Sequence, residues 1–506
     1  MKSGTFTQFV VAIMLVAAVA VPVRVAAQTD PGEQPKHHHY KLIDLGTLGG
    51  PMSINQIGPA LNNEGTVIGM ADTNNPDPFY PNFNPLILPG GASDPYIFRA
   101  FESTNGQLVA LDSLPGGYSA FPSGISENGL IAGQAINGAL DPIAGWPEET
   151  AVFWHRGKVI DLGTLGGYES GAGMVNSHGQ VTGFSGNAIP DPYSLFGLGT
   201  QTRAFLWDKR NAMQDIGTLG GPDAVAPFIN ERGQIAGFSY TNYRSNPTTG
   251  LPTVDPFLWE KGTMIDLGSL GGTFGAEGDG VALNNHGQVV GSSNLAGDVY
   301  SHPFLWTKPG SMQDLGTLGG NFGVANAVND AGEVVGWASN AGDQALLAFF
   351  WKNGTMTNLG VLPGKLCSYA HQINSKGQVT GSSDDDCADG NSHAFLWENG
   401  GPMVDLNDLV SGADMTLGGA TGINDRGEIT GTGVLANGEV RVFLLIPCDE
   451  NHLGVEGCDY TLVEASTAVS HSSPAVHDAP SRMLTQSLMR RMSRFRFRGP
   501  AFGPRN

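Results

Sequence analysis

Residues 324–359 read VANAVNDAGEVVGWASNAGDQALLAFFWKNGTMTNL, and the punctuation of this stretch decides the fold. Four runs, 324–329, 333–338, 347–351 and 356–359, are separated by Asn-x-x-Gly, a short polar connector and Trp-x-x-Gly. The glycine in each tight turn can take the positive φ that a hairpin with a bulge requires, so the first run pairs with the second and the third with the fourth. The third run is apolar on both sides, which reads as a strand covered on both faces. Strands at the first position are built from small residues, as in Gly171-Ala172-Gly173, and suit a crowded innermost place. The expectation is a four-stranded antiparallel unit, its strands lettered A to D in chain order.

Working outward, the same punctuation recurs eight times. Turn glycines run from Gly65 to Gly427, each followed four residues later by a second glycine, from Gly69 to Gly431. The aromatic of strand C is read at Phe101, Phe153, Phe205, Phe257, Phe304, Phe350, Phe395 and Phe443. An Asp-Leu anchor follows strand D from Asp44 to Asp405, with Asn358 in the seventh place. Because the Asp recurs in seven of eight units, it is expected to cap the D–A turn rather than to do chemistry.

A unit of this size cannot bury both faces alone, so units stack, either radially as a β-propeller or linearly as a solenoid. The ends discriminate. The repeat region opens with a lone strand D at 40–45 and closes with strands A, B and C only, ending at 442–446. If these pieces pair, no edge strand is left open. The fold expected is therefore all-β: a single propeller over residues 40–447, of eight four-stranded blades, its ring closed by the N-terminal strand joining the last blade, and monomeric.

The flanks read differently. Residues 1–27 resemble a signal peptide, with Lys2 ahead of an apolar run and Val25-Ala26-Ala27 at the cleavage position. This implies export to the periplasm, cell surface or medium, and no other stretch could cross a bilayer. Residues 28–39 read as a linker, 448–460 as a disulfide loop and 461–506 as a disordered basic tail. Four cysteines allow three pairings, and the two local ones, Cys367–Cys387 and Cys448–Cys458, are favoured. The chain carries a net charge of −21, while its last 46 residues hold seven arginines. So acidic a body argues against nucleic-acid binding, and the basic tail could contact an anionic envelope.

His393-Ala394-Phe395-Leu396-Trp397, with the Asp-Leu-Gly-Thr-Leu-Gly-Gly and Ile-Asn-x-x-Gly-Gln-Val pieces, resembles the HAF repeat of bacterial extracellular repeat proteins over roughly residues 40–447. The tripeptide is complete only at 393–395; Arg99, Arg203, Asp255 and His302 stand first elsewhere. The resemblance implies an exported protein and brings no catalytic residues.

Motifs for metalloprotease, serine hydrolase, phosphate-binding and Cys-x-x-Cys chemistry are absent from the sequence. His37-His38-His39 could bind a transition metal weakly, and a solvated linker is the expected reading. The acidic loop with Asp385, Asp386 and Asp389 has carboxylates for calcium without the spacing of a known loop. No other cofactor is expected.

What does not repeat is more telling. B–C connectors are long in the first four units (71–97, 134–150, 186–201 and 240–255) and short in the last four. In an up-and-down sheet, B–C and D–A connectors leave by one rim and the tight turns by the other, so the insertions form one ridge. Asp77, Phe79, Tyr80, Asp141, Trp146, Asp191, Tyr193, Tyr240 and Tyr243 are the expected ligand-binding residues, with Phe83 and Phe196 beside them. The function expected is a non-enzymatic binding module for polysaccharide or a cell-surface protein. The alternative is a polysaccharide-directed hydrolase or lyase using loop carboxylates.

Overall fold

The computed structural model describes residues 36–464 apart from residues 57, 82–93, 144, 197, 248–249, 276–280, 388–390, 399 and 413. The expected signal peptide, most of the expected linker and the residues beyond 464 lie outside the described residues, as do Phe83 and Asp389. Strands dominate, and among the described residues the one helix is a single 3-10 turn, Leu406–Leu409.

The unit read from residues 324–359 folds as Gly319–Val328, Val334–Asn340, Leu346–Lys352 and Thr355–Gly360, hydrogen-bonded antiparallel in that order. The other copies repeat it, as in Ala120–Ile125, Ile131–Leu140, Pro147–His155 and Lys158–Gly163. The last copy supplies Met415–Ile423, Ile429–Leu435 and Val440–Pro447, and its fourth strand comes from the other end of the chain. Tyr40–Asp44 lies antiparallel on Val440–Pro447, from Tyr40 opposite Pro447 to Asp44 opposite Phe443.

The second glycine of the repeat has a specific job. In the ladder Gly69 faces Phe101, Gly237 faces Phe257, Gly381 faces Phe395 and Gly431 faces Phe443. A Cβ at any of these glycines would lie 2.7–2.8 Å from the facing ring and 1.9–2.7 Å from a strand A carbonyl. The bare backbone lets each ring lie over its own sheet, fully buried against the neighbouring one. Burying each ring contributes about 2 kcal/mol. The ladder also corrects the aromatic register in two units. Gly133 faces Val152, not Phe153, and Gly336 faces Phe349, not Phe350.

Turn asparagines stitch the units together. The Oδ1 of Asn284 accepts from the amides of His286 and Gln288, closing its own A–B turn. Its Nδ2 donates to the Asn329 carbonyl of the next unit at 2.9 Å. Asn176, Asn230, Asn329 and Asn374 each donate to the following unit in the same way, and Asn424 donates to the Asn62 carbonyl at 3.0 Å. Asn62 bonds the carbonyl of Ser126, which occupies the turn position of the second unit and has no amide to pass on. Asn128 stands in, donating to the Ser177 carbonyl.

Most of the Asp-Leu anchors cap the D–A turns as expected, whereas Asp112 accepts from Lys158 Nζ at 2.8 Å instead. Asp44, Asp161, Asp215, Asp266 and Asp314 each accept from the amide two residues on, as does Asn358. Both disulfides, Cys367–Cys387 and Cys448–Cys458, are formed.

The end of the expected linker is structured rather than solvated. Lys36–His38 pairs with Leu462–Glu464, a segment assigned from sequence to the disordered tail. His37 is buried, with Nδ1 3.3 Å from the Glu398 carboxylate, and Nε2 of His39 lies 3.7 Å from Asp459. Sequence composition marked this segment as polar and Pro-flanked, but its partner is more than 400 residues away, so no local pattern announces the strand.

Candidate functional site: the insertion rim

The described ends of the first three insertions are extensions of strands B and C. Strand pairing continues past a register shift to Pro76 opposite Tyr96, Leu140 opposite Pro147 and Pro190 opposite Thr200. Their Asp-Pro corners have a common geometry. Proline offers no N–H, so the aspartate accepts from the residue after it. Asp77 caps Phe79 at 2.7 Å, Asp94 caps Tyr96 at 3.0 Å, Asp141 caps Ile143 at 2.6 Å and Asp191 caps Tyr193 at 2.9 Å. All four aspartates are buried, so they shape the corners and present no carboxylate to solvent.

The expected contact residues divide by exposure. Tyr80 and Tyr243 are exposed, at 50% and 60%. Phe79, Trp146 and Tyr193 are half-buried, and Phe79 stacks on Tyr118 at 6.1 Å between ring centres. Phe196 packs against Phe184 at 4.5 Å. Tyr240 is corrected: it is fully enclosed, and its hydroxyl donates to the Tyr193 carbonyl at 3.0 Å, bracing one insertion with the next. Sequence reasoning missed the aliphatic side chains on the same ridge, Leu140, Ile143 and Ile189, each more than half exposed.

Behind the hairpins lies a second feature the sequence did not announce: buried acids whose charges act on one another. Asp72 and Asp94 are each 1% exposed. Burial, and then Asp94, pushes Asp72 up to about 8. Asp223 is fully buried and accepts from the amides of Leu195 and Thr202 in the preceding unit. Burial raises it to about 8 against those two hydrogen bonds, helped by Asp191. Glu169 accepts from the Glu149 amide at 2.8 Å and is driven to about 9 by burial and by Glu149, which burial itself raises to about 7. The one available signal was position: Glu169 and Asp223 both follow a Gly-Gly pair and directly precede strand A.

The remaining candidates lie elsewhere. Asp385 receives Lys365 Nζ at 2.6 Å, and among the described residues no three His, Cys, Asp or Glu side chains gather to hold a metal ion. On the opposite, tight-turn rim a cleft of ≈ 60 Å³ lies between His37, Tyr40, Lys376, Glu398, Arg426 and Asp449. Among the described residues no helix is long and apolar enough to cross a membrane.

Residues 271–443 match the family model described as "Protein of unknown function (DUF3466)", about a third of the chain. No curated protein is similar in sequence. Among solved structures, the β-propeller domain of the Trilobed protease from Pyrococcus furiosus is 12% identical, over 71% of this chain and 98% of that one, with a TM-score of 0.39. An ulvan lyase of polysaccharide lyase family PL25 is likewise 12% identical, over 74% and 99%, with a TM-score of 0.39. A protein of unknown function from Dyadobacter fermentans is 10% identical, over 82% and 100%, with a TM-score of 0.33. At these identities no activity passes from those proteins to this chain.

Proposed function

We propose that the chain is an exported, HAF-like β-propeller of eight blades, closed by its N-terminal strand, that binds polysaccharide on the rim built by its first four units. The strand pairing of Tyr40–Asp44 with Val440–Pro447 and the amide belt returning from Asn424 to Asn62 support the closed ring. Two disulfides support export, since such bonds persist in oxidising compartments.

The observation that carries the binding role is the placement of exposed apolar side chains. Among the described residues eight large apolar side chains are at least half exposed; five of them, Tyr80, Leu140, Ile143, Ile189 and Tyr243, lie on the insertions, and Val299, Leu453 and Leu462 lie elsewhere. A soluble surface gains nothing from clustering such groups on one ridge, whereas a ligand face does. Flat rings offer stacking area to sugar faces at low entropy cost. The hydrolase or lyase alternative draws less support, because Asp77, Asp141 and Asp191 are buried and engaged as caps.

Purified protein should be retained by at least one of a panel of immobilised polysaccharides. Combining Tyr80→Ala, Trp146→Ala and Tyr193→Ala should weaken that retention about tenfold or more, as loss of interface anchors does. Lys352→Ala with Lys376→Ala, on the tight-turn rim, should leave it unchanged. The reverse pattern would move the face to the other rim, and retention only by an envelope protein fraction would replace the ligand class.

A further inference from the structure

The insertions are almost without basic residues. Residues 71–97, 134–150 and 186–201 hold no lysine, arginine or histidine, and residues 240–255 hold one, Arg244. Many of the chain's cations stand on the opposite rim instead: Arg210, Arg232, Lys261, Lys352, Lys376 and Arg426 all lie in or beside tight turns. On strand C, into which the insertions lead, the guanidinium groups of Arg99 and Arg203 are engaged within the fold. Arg99 donates to the Leu111 carbonyl at 3.1 Å, and Arg203 donates to Asp215 at 2.8 Å and to the Pro222 carbonyl at 3.0 Å.

The acids of the same insertions are buried or engaged. Asp72, Asp77, Asp94, Asp141 and Asp191 are buried. Burial, and then Asp266, drives Asp255 up to about 6, and burial drives Glu149 up to about 7. Glu148 accepts from Asn137 Nδ2 at 2.9 Å. What the insertions do present is apolar or amide. Tyr80, Leu140, Ile143, Ile189 and Tyr243 are exposed, as are Asn74 and Asn75 on the first insertion.

Such a surface selects its ligand by charge. An anionic polysaccharide repeats carboxylates or sulfates along its length, and each must meet a cation or keep its water. One arginine cannot match a row of them, and a chain of net charge −21 repels them. Beneath the second insertion negative charge is already crowded: Glu169 is pushed to about 9 by burial and then by Glu149, with Asp141 and Glu148 adding to it. A cationic polysaccharide meets the converse lack, because the insertion carboxylates face inward or are engaged. An uncharged sugar needs neither partner. Its apolar ring faces match aromatic rings, and its hydroxyls exchange hydrogen bonds with side-chain amides.

We propose that the ligand of the insertion rim is an uncharged polysaccharide, stacked on Tyr80, Trp146, Tyr193 and Tyr243 and hydrogen-bonded by amides such as Asn74 and Asn75. This narrowing of the ligand class rests on the binding role proposed above.

Retention of the intact disulfide-bonded protein on immobilised polymers of each charge tests this: cellulose, laminarin and galactomannan as uncharged probes, alginate and polygalacturonate as anionic ones, and chitosan as the cationic one. At least one uncharged polymer should retain the protein, equally at about 0.05 M and about 0.5 M sodium chloride, because no exposed ion pair is there to be screened. Tyr243→Ala, at a side chain 60% exposed, should weaken that retention about fivefold, as loss of an aromatic anchor does. Arg244→Ala beside it should leave retention unchanged. Stronger retention by alginate, polygalacturonate or chitosan than by any uncharged polymer, falling as salt rises, would overturn the ligand class and leave the binding role standing. A loss with Arg244→Ala in place of Tyr243→Ala would do the same. Retention by none of the polymers would remove the binding role itself, and this class with it.

Discussion

The first three units and the fifth and sixth share one sheet design yet treat buried acids differently. In the fifth and sixth units the B–C connector is a tight turn ending in aspartate, and both oxygens of that side chain are engaged. Asp298 accepts from the amide and hydroxyl of Thr273, and Asp343 from the amide and side chain of Asn321 and from Ser339. In the first, second and third units the connectors lengthen, and a buried acid near the root of each is pushed up by burial and then by a second acid. A group that only staples a turn is expected to have its oxygens matched, because an unmatched buried oxygen costs about 1–3 kcal/mol. The insertion half tolerates mismatched acids and exposed apolar rings together.

The comparison breaks most visibly if the halves are not one cooperative unit. Removing Tyr40–Asp44 strips the last sheet of its fourth strand and exposes Phe443 and Leu445, which are fully buried. The expected loss is roughly 5 kcal/mol, from lost burial and ladder bonds. Calorimetry should show one transition, falling as a whole and accompanied by aggregation. Two separated transitions, with one half unaffected, would dissolve the closed-ring reading.

A smaller effect sharpens it. Asn176→Ala in the insertion half and Asn284→Ala in the other each remove the turn acceptor and the bond to the next unit. Each should cost about 2–4 kcal/mol in denaturant melts, since buried amides are left unmatched. The two losses should agree, because the belt is the same in both halves. A large difference would mean that the halves do not share one scaffold.

Much of this was legible in the residues. Asn-x-x-Gly and Trp-x-x-Gly fix turns by local backbone chemistry, so strand order followed directly, and the surplus strand at 40–45 pointed to its partner at 442–446. Register was harder. Strand C is apolar on both faces, which removes the period-two signal that sets which side chain faces which. That is why Phe153 and Phe350 were read one position away from Val152 and Phe349. The insertion ridge was visible as length and Asp-Pro repetition, yet the role of its aspartates was not. A buried cap and an exposed ligand acid look alike in a sequence. The acid pairs join residues 20 to 32 positions apart and occur at no repeated site in all eight units, so no periodicity exposes them.

The central claim is that the hairpins carry the ligand while the sheets carry the stability. Replacing residues 138–147 with Asn-Gly, a two-residue hairpin turn, removes Leu140, Ile143 and Trp146 and leaves the turn rim and every sheet in place. Retention on the polysaccharide that holds the parent protein should then fall about tenfold, by the loss of clustered anchors, with the melting temperature shifted by no more than a few degrees. Undiminished retention by this shortened chain would contradict the account.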